Sequence, residues 1–344
     1  MRVLLIKTSS LGDIIHTFPA VNDAYQAIPG LEIDWVVEEA FAALPLWHPA
    51  VKNVIQVPIR RLKKMGWKGL KPKEWMPFIQ QIRSEPYDRV VDAQGLFKSA
   101  AISLFAQGSH HGYDRHSARE GWVSLFYQHR YAVSKTQHAI LRTRQLLSQA
   151  LHYKIPNIHS LACGLVLPEQ AISIDVHQPY LVFLHGTTWG TKHYPDQEWQ
   201  ALMARAVSEN FVVYLPWGNE AEHARAKRFS QMHENIRVLP RTSLLEVAHI
   251  IAHAKGVVSV DTGLGHLAAA MSKPLVALYG PTDPKLTGML GDHSQSLSSH
   301  MDCAPCLQDK CRIAPEATFP PCFNDIPSDR VWQILREKMG LALS

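Results

Sequence analysis

The chain has 344 residues, 46% of them hydrophobic and 19% charged, with a formal net charge of +5 and a pI near 8.9. That length suits two domains with full cores, and that composition excludes a disordered or fibrous chain. No run approaches the ~18 apolar residues of a membrane span. The apolar start at 1–7 is too short for a signal peptide and gives way to polar residues and Asp13, so a cytosolic protein is expected.

In chain order, apolar runs predict strands at 3–7, 33–37, 54–57 and 89–92, with amphipathic helices at 15–27, 74–82 and 98–105. A basic segment lies among them: Arg60, Arg61, Lys63, Lys64, Lys68, Lys71 and Lys73, interleaved with Trp67 and Trp75. It reads either as a solvated face or as a patch for an anionic partner. Pro156, Pro168 and Pro179 mark a stretch without helical period, expected to be a hinge. A second series follows with strands at 180–185, 212–215, 237–239, 257–260 and 275–279, and a last helix at 328–339. Strands alternating with helices imply an α/β fold around parallel sheets. The expected boundaries are an N-terminal Rossmann-like domain at 1–165, a linker at 166–179, a C-terminal Rossmann-like domain at 180–325, and a terminal helix at 326–344 packing back on the N-terminal domain. Two such domains would place ligands at the strand ends facing the cleft between them.

Three turns carry candidate chemistry. After the first strand, Lys7-Thr8-Ser9-Ser10-Leu11-Gly12-Asp13 lacks the glycines of a dinucleotide fingerprint or a P-loop. It offers a carboxylate instead, and Asp13 is either a general base or a helix cap. After the strand at 180–185, His185-Gly186-Thr187-Thr188-Trp189-Gly190-Thr191-Lys192 joins small hydroxylated residues to a full positive charge. After the strand at 257–260, Asp261-Thr262-Gly263-Leu264-Gly265-His266 opens a helix whose backbone N–H groups and dipole favour an anion. His266 reads as structural first. An acid, a lysine and a helix N-terminus suit attack by a hydroxyl and departure of a diphosphate, with no metal required. Four of the five cysteines, Cys303, Cys306, Cys311 and Cys322, could hold a structural zinc. Their irregular gaps and the prolines between them make reduced, packed thiols the default.

These residues resemble a known family. Lys7-Thr8-Ser9-Ser10-x-Gly12-Asp13-x-x-His16, Asp92-Ala93-Gln94-Gly95-Leu96-x-Lys98-Ser99, the Thr187-to-Lys192 turn, and Val260-Asp261-Thr262-Gly263-x-x-His266 with Tyr279-Gly280-Pro281-Thr282 are similar to the ADP-heptose:lipopolysaccharide heptosyltransferases, type I most of all. The cysteine-bearing tail departs from the type I pattern.

The resemblance implies a GT-B fold and inverting transfer of L-glycero-D-manno-heptose from ADP-heptose to Kdo of Kdo2-lipid A, without a cofactor. It implies Asp13 as base, with Thr187, Thr188 and Lys192 on the diphosphate. Asp261 would meet the heptose hydroxyls, Thr262, Gly263, Leu264 and His266 would lie around the phosphates, and Glu222 would take the ribose. Ser10, Gly12, Gln94, Lys98, Arg119, Arg60 and Lys64 become acceptor-side candidates. An acceptor borne on lipid implies peripheral contact with the cytoplasmic face of the inner membrane and no nucleic-acid partner. The alternatives are a type II enzyme, another GT-B sugar-nucleotide transferase, or a non-catalytic sugar-nucleotide-binding protein.

Overall fold

A computed structural model describes residues 1–66, 72–157 and 160–342. Trp67, Lys68 and Lys71 of the basic segment lie outside the described residues. The chain divides into two compact units, Met1–Val166 and Leu167–Ser344.

The first unit runs β1 (Arg2–Ile6), α1 (Leu11–Ile15), α2 (Phe18–Ala27), β2 (Glu32–Glu38), β3 (Val51–Val57), α3 (Ile59–Lys64), α4 (Pro72–Ile82), β4 (Tyr87–Asp92), α5 (Phe97–Ser103), β5 (Gly108–Tyr113), β6 (His129–Tyr131) and α6 (Ala139–Leu151). Its six strands form one parallel sheet in the order β3-β2-β1-β4-β5-β6. Parallel strands covered by helices on both faces must be apolar throughout, and β1 is: Val3, Leu4, Leu5 and Ile6 are all buried. One core packs Leu4, Ile6, Val36, Ile55 and Val90 against Phe78 and Ile82 of α4. Elsewhere in the unit, α2 and α6 pack together, and Arg144 of α6 grips Asp23 of α2 with two hydrogen bonds, 2.6 and 3.1 Å. The guanidinium also donates to the carbonyl of Asn157 at 2.6 Å, as a buried ion pair requires.

The second unit repeats the plan: β7 (Tyr180–Leu184), α7 (Asp196–Ser208), β8 (Val212–Leu215), α8 (Glu220–Ser230), β9 (Ile236–Val238), α9 (Leu244–His253), β10 (Gly256–Val260), α10 (Gly263–Ala270), β11 (Leu275–Tyr279), α11 (Pro284–Thr287), β12 (Ser294–Ser298) and α12 (Ser328–Lys338). Its parallel sheet has the order β12-β11-β10-β7-β8-β9, which numbered within the unit is again 3-2-1-4-5-6. Cores lie on both faces, one around Phe183, Trp199 and Phe229, the other around Val182, Ile250 and Leu275.

The segment expected as a hinge is tied to the second unit. Ile172 and Ile174 pack on its core, and His249 Nε2 lies 2.7 Å from the carbonyl of Pro168. The terminal helix buries one face within the second unit. Val331, Trp332 and Leu335 of α12 complete the second unit's core against α7 and β10–β12, because that sheet face would otherwise stay open at β11. Among the described residues no helix is long and apolar enough to cross a membrane.

Candidate active site

In a 3-2-1-4-5-6 sheet the connections after the first and fourth strands leave in opposite directions, and a crevice opens between them at the strands' carboxyl ends. In each unit these are the loops that carry the sequence motifs.

In the first unit the loop after β1 leads into Asp13 on α1, and the loop after β4 leads into Lys98 on α5. The capping contact of Asp13 leaves its second carboxylate oxygen turned to cations. Its Oδ2 caps the helix, accepting from the Ser10 N–H at 2.7 Å and the Ser10 hydroxyl at 3.1 Å. Its Oδ1 faces Lys7 Nζ at 3.9 Å and Arg119 Nη2 at 3.6 Å. Burial pushes the Asp13 carboxyl up, but Lys7, Arg119 and the Ser10 hydrogen bonds outweigh it and hold the group below its ordinary value. The carboxylate is therefore ionised and available to a proton at neutral pH.

Gln94 is buried, its carboxamide donating to the Ser9 carbonyl at 2.9 Å and accepting from the Thr8 N–H at 3.1 Å. Both ends of that side chain shape the loop before Asp13, so Gln94 braces that loop. The buried Asp92 carboxylate accepts from the N–H groups of Gln94 and Gly95, from Ser99 Oγ, and from Tyr127 at 2.6 Å. Gly95 stands at φ +69, a left-handed position that suits glycine, and it turns the chain into α5. This presents Lys98, whose Nζ lies 3.4 Å from Ser9 Oγ. Gly12 lies within α1 beside Asp13. Arg60 and Lys64 stand exposed on α3, where the Arg60 guanidinium rests over the Phe41 ring at 5.1 Å.

In the second unit the loop after β7 and the loop after β10 meet directly. Lys192 Nζ is 2.7 Å from Asp261 Oδ2, and Thr187 Oγ1 donates to the Asp261 carbonyl at 3.1 Å. Thr282, after β11, donates to Asp261 Oδ2 at 2.8 Å, and His266 Nε2 stands 3.6 Å from Oδ1. Burial opposes the Asp261 charge; His266 and Lys192 overcome it and pull the carboxyl down to about 2. Lys192, expected free for a diphosphate, is thus already paired, and it also lies 4.6 Å over the Trp189 ring.

Beside this knot a cavity of about 300 Å³ opens, walled by Leu184, Leu244, Val247 and Leu264. Thr188 and Thr262 line it on the polar side, and Glu222 reaches in from α8. That volume and that mix of apolar wall with few polar groups fit a nucleoside. Glu222 is fixed by the Gly218 N–H at 2.7 Å, and Gly186 makes room for it: a Cβ there would come within 2.4 Å of the Glu222 carboxyl carbon. Gly263 begins α10, and no side chain caps this helix at Thr262. Its first N–H groups therefore remain an anion-favouring end beside the cavity.

Lys7 and Thr282 contact the two carboxylates, Asp13 and Asp261, although the sequence reading gave neither a role. Both stand in the motifs quoted above, but the contact of Thr282 lies 21 residues back along the chain, where spacing does not show it.

Cys303, Cys306, Cys311 and Cys322 line a second cavity of about 250 Å³. Among the described residues no group of three or more His, Cys, Asp or Glu is placed to hold a metal ion, and all five cysteines are free thiols. Burial pushes the Cys322 thiol up to about 12, so it stays protonated. The cysteine loop braces the site from behind: Thr191 Oγ1 donates to the Gln308 carbonyl at 2.7 Å, and the Leu307 N–H donates to Pro281 at 2.8 Å.

Comparisons with known proteins agree with this geometry. The model of glycosyltransferase family 9 (heptosyltransferase) matches residues 75–316. Lipopolysaccharide heptosyltransferase 1 of Pseudomonas aeruginosa is 50% identical over 342 residues, covering 96% of each chain. The Escherichia coli K12 protein of that name is 46% identical over 297 residues, 85% of this chain and 91% of its own. The structure of E. coli heptosyltransferase WaaC with ADP aligns at a TM-score of 0.84 and 40% identity, covering 98% of this chain and all of that one. The same enzyme with ADP-2-deoxy-2-fluoro heptose aligns at 0.82. The two parallel sheets are those of the GT-B fold, and the chain belongs to glycosyltransferase family 9, the heptosyltransferases.

Proposed function

We propose that this chain is a lipopolysaccharide heptosyltransferase I, which transfers L-glycero-D-manno-heptose from ADP-heptose to a Kdo residue of Kdo2-lipid A with inversion at the anomeric carbon. The observation that carries the reading is the nucleoside-sized cavity of the second unit abutting the Lys192–Asp261 pair and the uncapped start of α10. The relatives at 46–50% identity and the E. coli structures with ADP and an ADP-heptose analogue support it.

In this reading the adenine lies against Leu184, Leu244 and Val247, and Glu222 accepts from the ribose hydroxyls. The diphosphate meets Thr188, Thr262 and the N–H groups of Gly263 and Leu264. Lys192 shifts from Asp261 toward the phosphates as they arrive, and the freed Asp261 carboxylate accepts from heptose hydroxyls. The negative charge that develops as the anomeric C–O bond breaks is thereby met by a cation and a helix end, without a metal. Asp13 accepts the proton of the attacking acceptor hydroxyl, while Lys98 and Arg119 draw the acceptor's anionic groups toward it. The enzyme then works at the cytoplasmic face of the inner membrane, on an acceptor held in lipid.

The test is a transfer assay with ADP-heptose and two acceptors, Kdo2-lipid A and the same molecule already bearing one heptose. Transfer to the first alone is expected. Transfer only to the second would assign the type II activity, and transfer to neither would refute the reading.

A further inference from the structure

The face of the first unit next to Asp13 carries large apolar side chains in water. Phe97 is 51% exposed, Leu104 50%, Trp122 52% and Leu125 72%. Residues seven apart on a helix lie on one face, so Phe97 and Leu104, the residue that caps the end of α5, share a side with the half-buried Ala101 between them. The turn at Gly121–Phe126 packs beside α5 and extends the patch: the Phe97 ring lies 5.1 Å from Trp122 and 6.5 Å from Phe126, and Trp122 lies 5.9 Å from Phe126. Three aromatic rings in mutual contact, with exposed leucines on the same two elements, form a cluster unlike apolar residues scattered singly.

The segment that carries these residues holds charge with one sign in excess. From 93 to 131 the sequence holds Lys98, Arg115, Arg119 and Arg130 against Asp114 and Glu120, a balance of four cations to two acids. The acids are engaged with the backbone, Glu120 accepting from the Phe97 N–H at 2.8 Å and Asp114 from the Ser117 N–H at 2.8 Å. Arg115 and Arg130 stand exposed. Aromatic rings on a segment that also carries arginine and lysine match the headgroup level of an anionic bilayer, where indole rings settle and each cation adds attraction.

We propose that the surface formed by Phe97, Leu104, Trp122 and Leu125 inserts into the interface of an anionic lipid bilayer. The patch is continuous with the base: Lys98 follows Phe97 and reaches Ser9, and Arg119, three residues before Trp122, reaches Asp13. Insertion here holds Asp13 at the lipid surface, where a lipid-borne hydroxyl would be presented. This placement deepens the acceptor reading above and rests on it for its purpose, though not for the binding itself.

The test is flotation of the full chain with vesicles of phosphatidylglycerol and phosphatidylethanolamine, free of any acceptor. Trp122→Ser and Leu125→Asp are expected to weaken partitioning on the order of tenfold or more, each losing the burial of one large apolar side chain. Ile313→Ser, at an exposed position of the second unit, should bind like wild type. Brominated lipids should quench wild-type emission more than that of Trp122→Phe, a measurement that does not depend on lost binding.

Both polar variants should retain transfer to a deacylated, water-soluble acceptor. Unchanged flotation of the variants, or no flotation of wild type, overturns the surface assignment. So does a defect seen only with acylated acceptor and never with vesicles, which would give the patch to the acceptor's own chains. Failure of wild type to transfer heptose to any acceptor would instead overturn the functional reading.

Discussion

Replacing Lys192 by methionine tests the second unit's site most directly. The Asp261 carboxyl is held at about 2 against an ordinary value of 3.8, although burial alone would push it the other way. At 1.36 kcal/mol per unit, that difference makes the ionised form about 2.4 kcal/mol better placed in the folded chain than in the unfolded one. Because the folded value is depressed, this stabilisation is complete above the ordinary carboxylate range and disappears as pH falls toward 2.

Lys192→Met removes the ammonium 2.7 Å from Oδ2 and leaves Thr282 and His266. Burial then meets only the His266 and Thr282 contacts, so the Asp261 value rises and the charged group loses stabilisation at neutral pH. The expected cost at pH 7.5 is about 3 kcal/mol, within the range for breaking a buried pair from one side. Urea unfolding at pH 7.5 and 4.5 measures it. The deficit should shrink at pH 4.5, where Asp261 of the variant takes up a proton, and the Lys192→Met/Asp261→Asn double variant should recover most of it at pH 7.5. An equal deficit at both pH values, or no recovery in the double variant, would refute the assignment of Lys192 as the partner that keeps Asp261 charged.

Asp13→Asn should lower kcat by about 10²–10⁴-fold with little change in ADP affinity; single-turnover kinetics beside calorimetric ADP titration checks both halves, and a rate within a few-fold of wild type would remove Asp13 as base. Gly186→Ala drives a Cβ into Glu222 and should break its hydrogen bond from Gly218. ADP binding is then expected to weaken roughly tenfold, the loss of one charge-assisted hydrogen bond, and an unaltered titration would free Glu222 from that role. Arg144→Leu leaves Asp23 buried without its partner, and a loss of about 3–5 kcal/mol in chemical unfolding is expected. Burial drives the His185 imidazole down to about 3, so the unfolded chain binds its proton first and stability should fall as pH drops below about 6.5. His185→Leu should flatten that decline by about 2 kcal/mol at pH 4.5, and an unchanged pH profile would count against it.

Much of this was legible along the chain, for a local reason. A strand buried on both faces must be an apolar run, as 3–7 and 257–260 are, and a turn that approaches an anion must be small, hydroxylated or glycine-bearing, as 186–191 and 261–265 are. Strands β5 and β6, Gly-Ser-His-His-Gly-Tyr and His-Arg-Tyr, escaped notice because neither is an apolar run: β6 is the sheet edge, where polar residues are tolerated, and β5 lies between it and β4. The dual use of Asp13 was half visible: Ser10 three residues earlier is a capping pattern, whereas the cation at Arg119 arrives from beyond four further strands.

Sequence alone thus determined which turns are the candidates for chemistry, since their residue types answer to neighbours within a few positions. Only the tertiary structure decided how those turns combine. The 3-2-1-4-5-6 order sets the loops after β7 and β10 side by side and closes Lys192 onto Asp261; it turns Gln94 into a brace for the Asp13 loop; and it packs α12 on its own unit's sheet. Each of these depends on pairing between residues far apart in sequence, which leaves no periodicity in the chain to read.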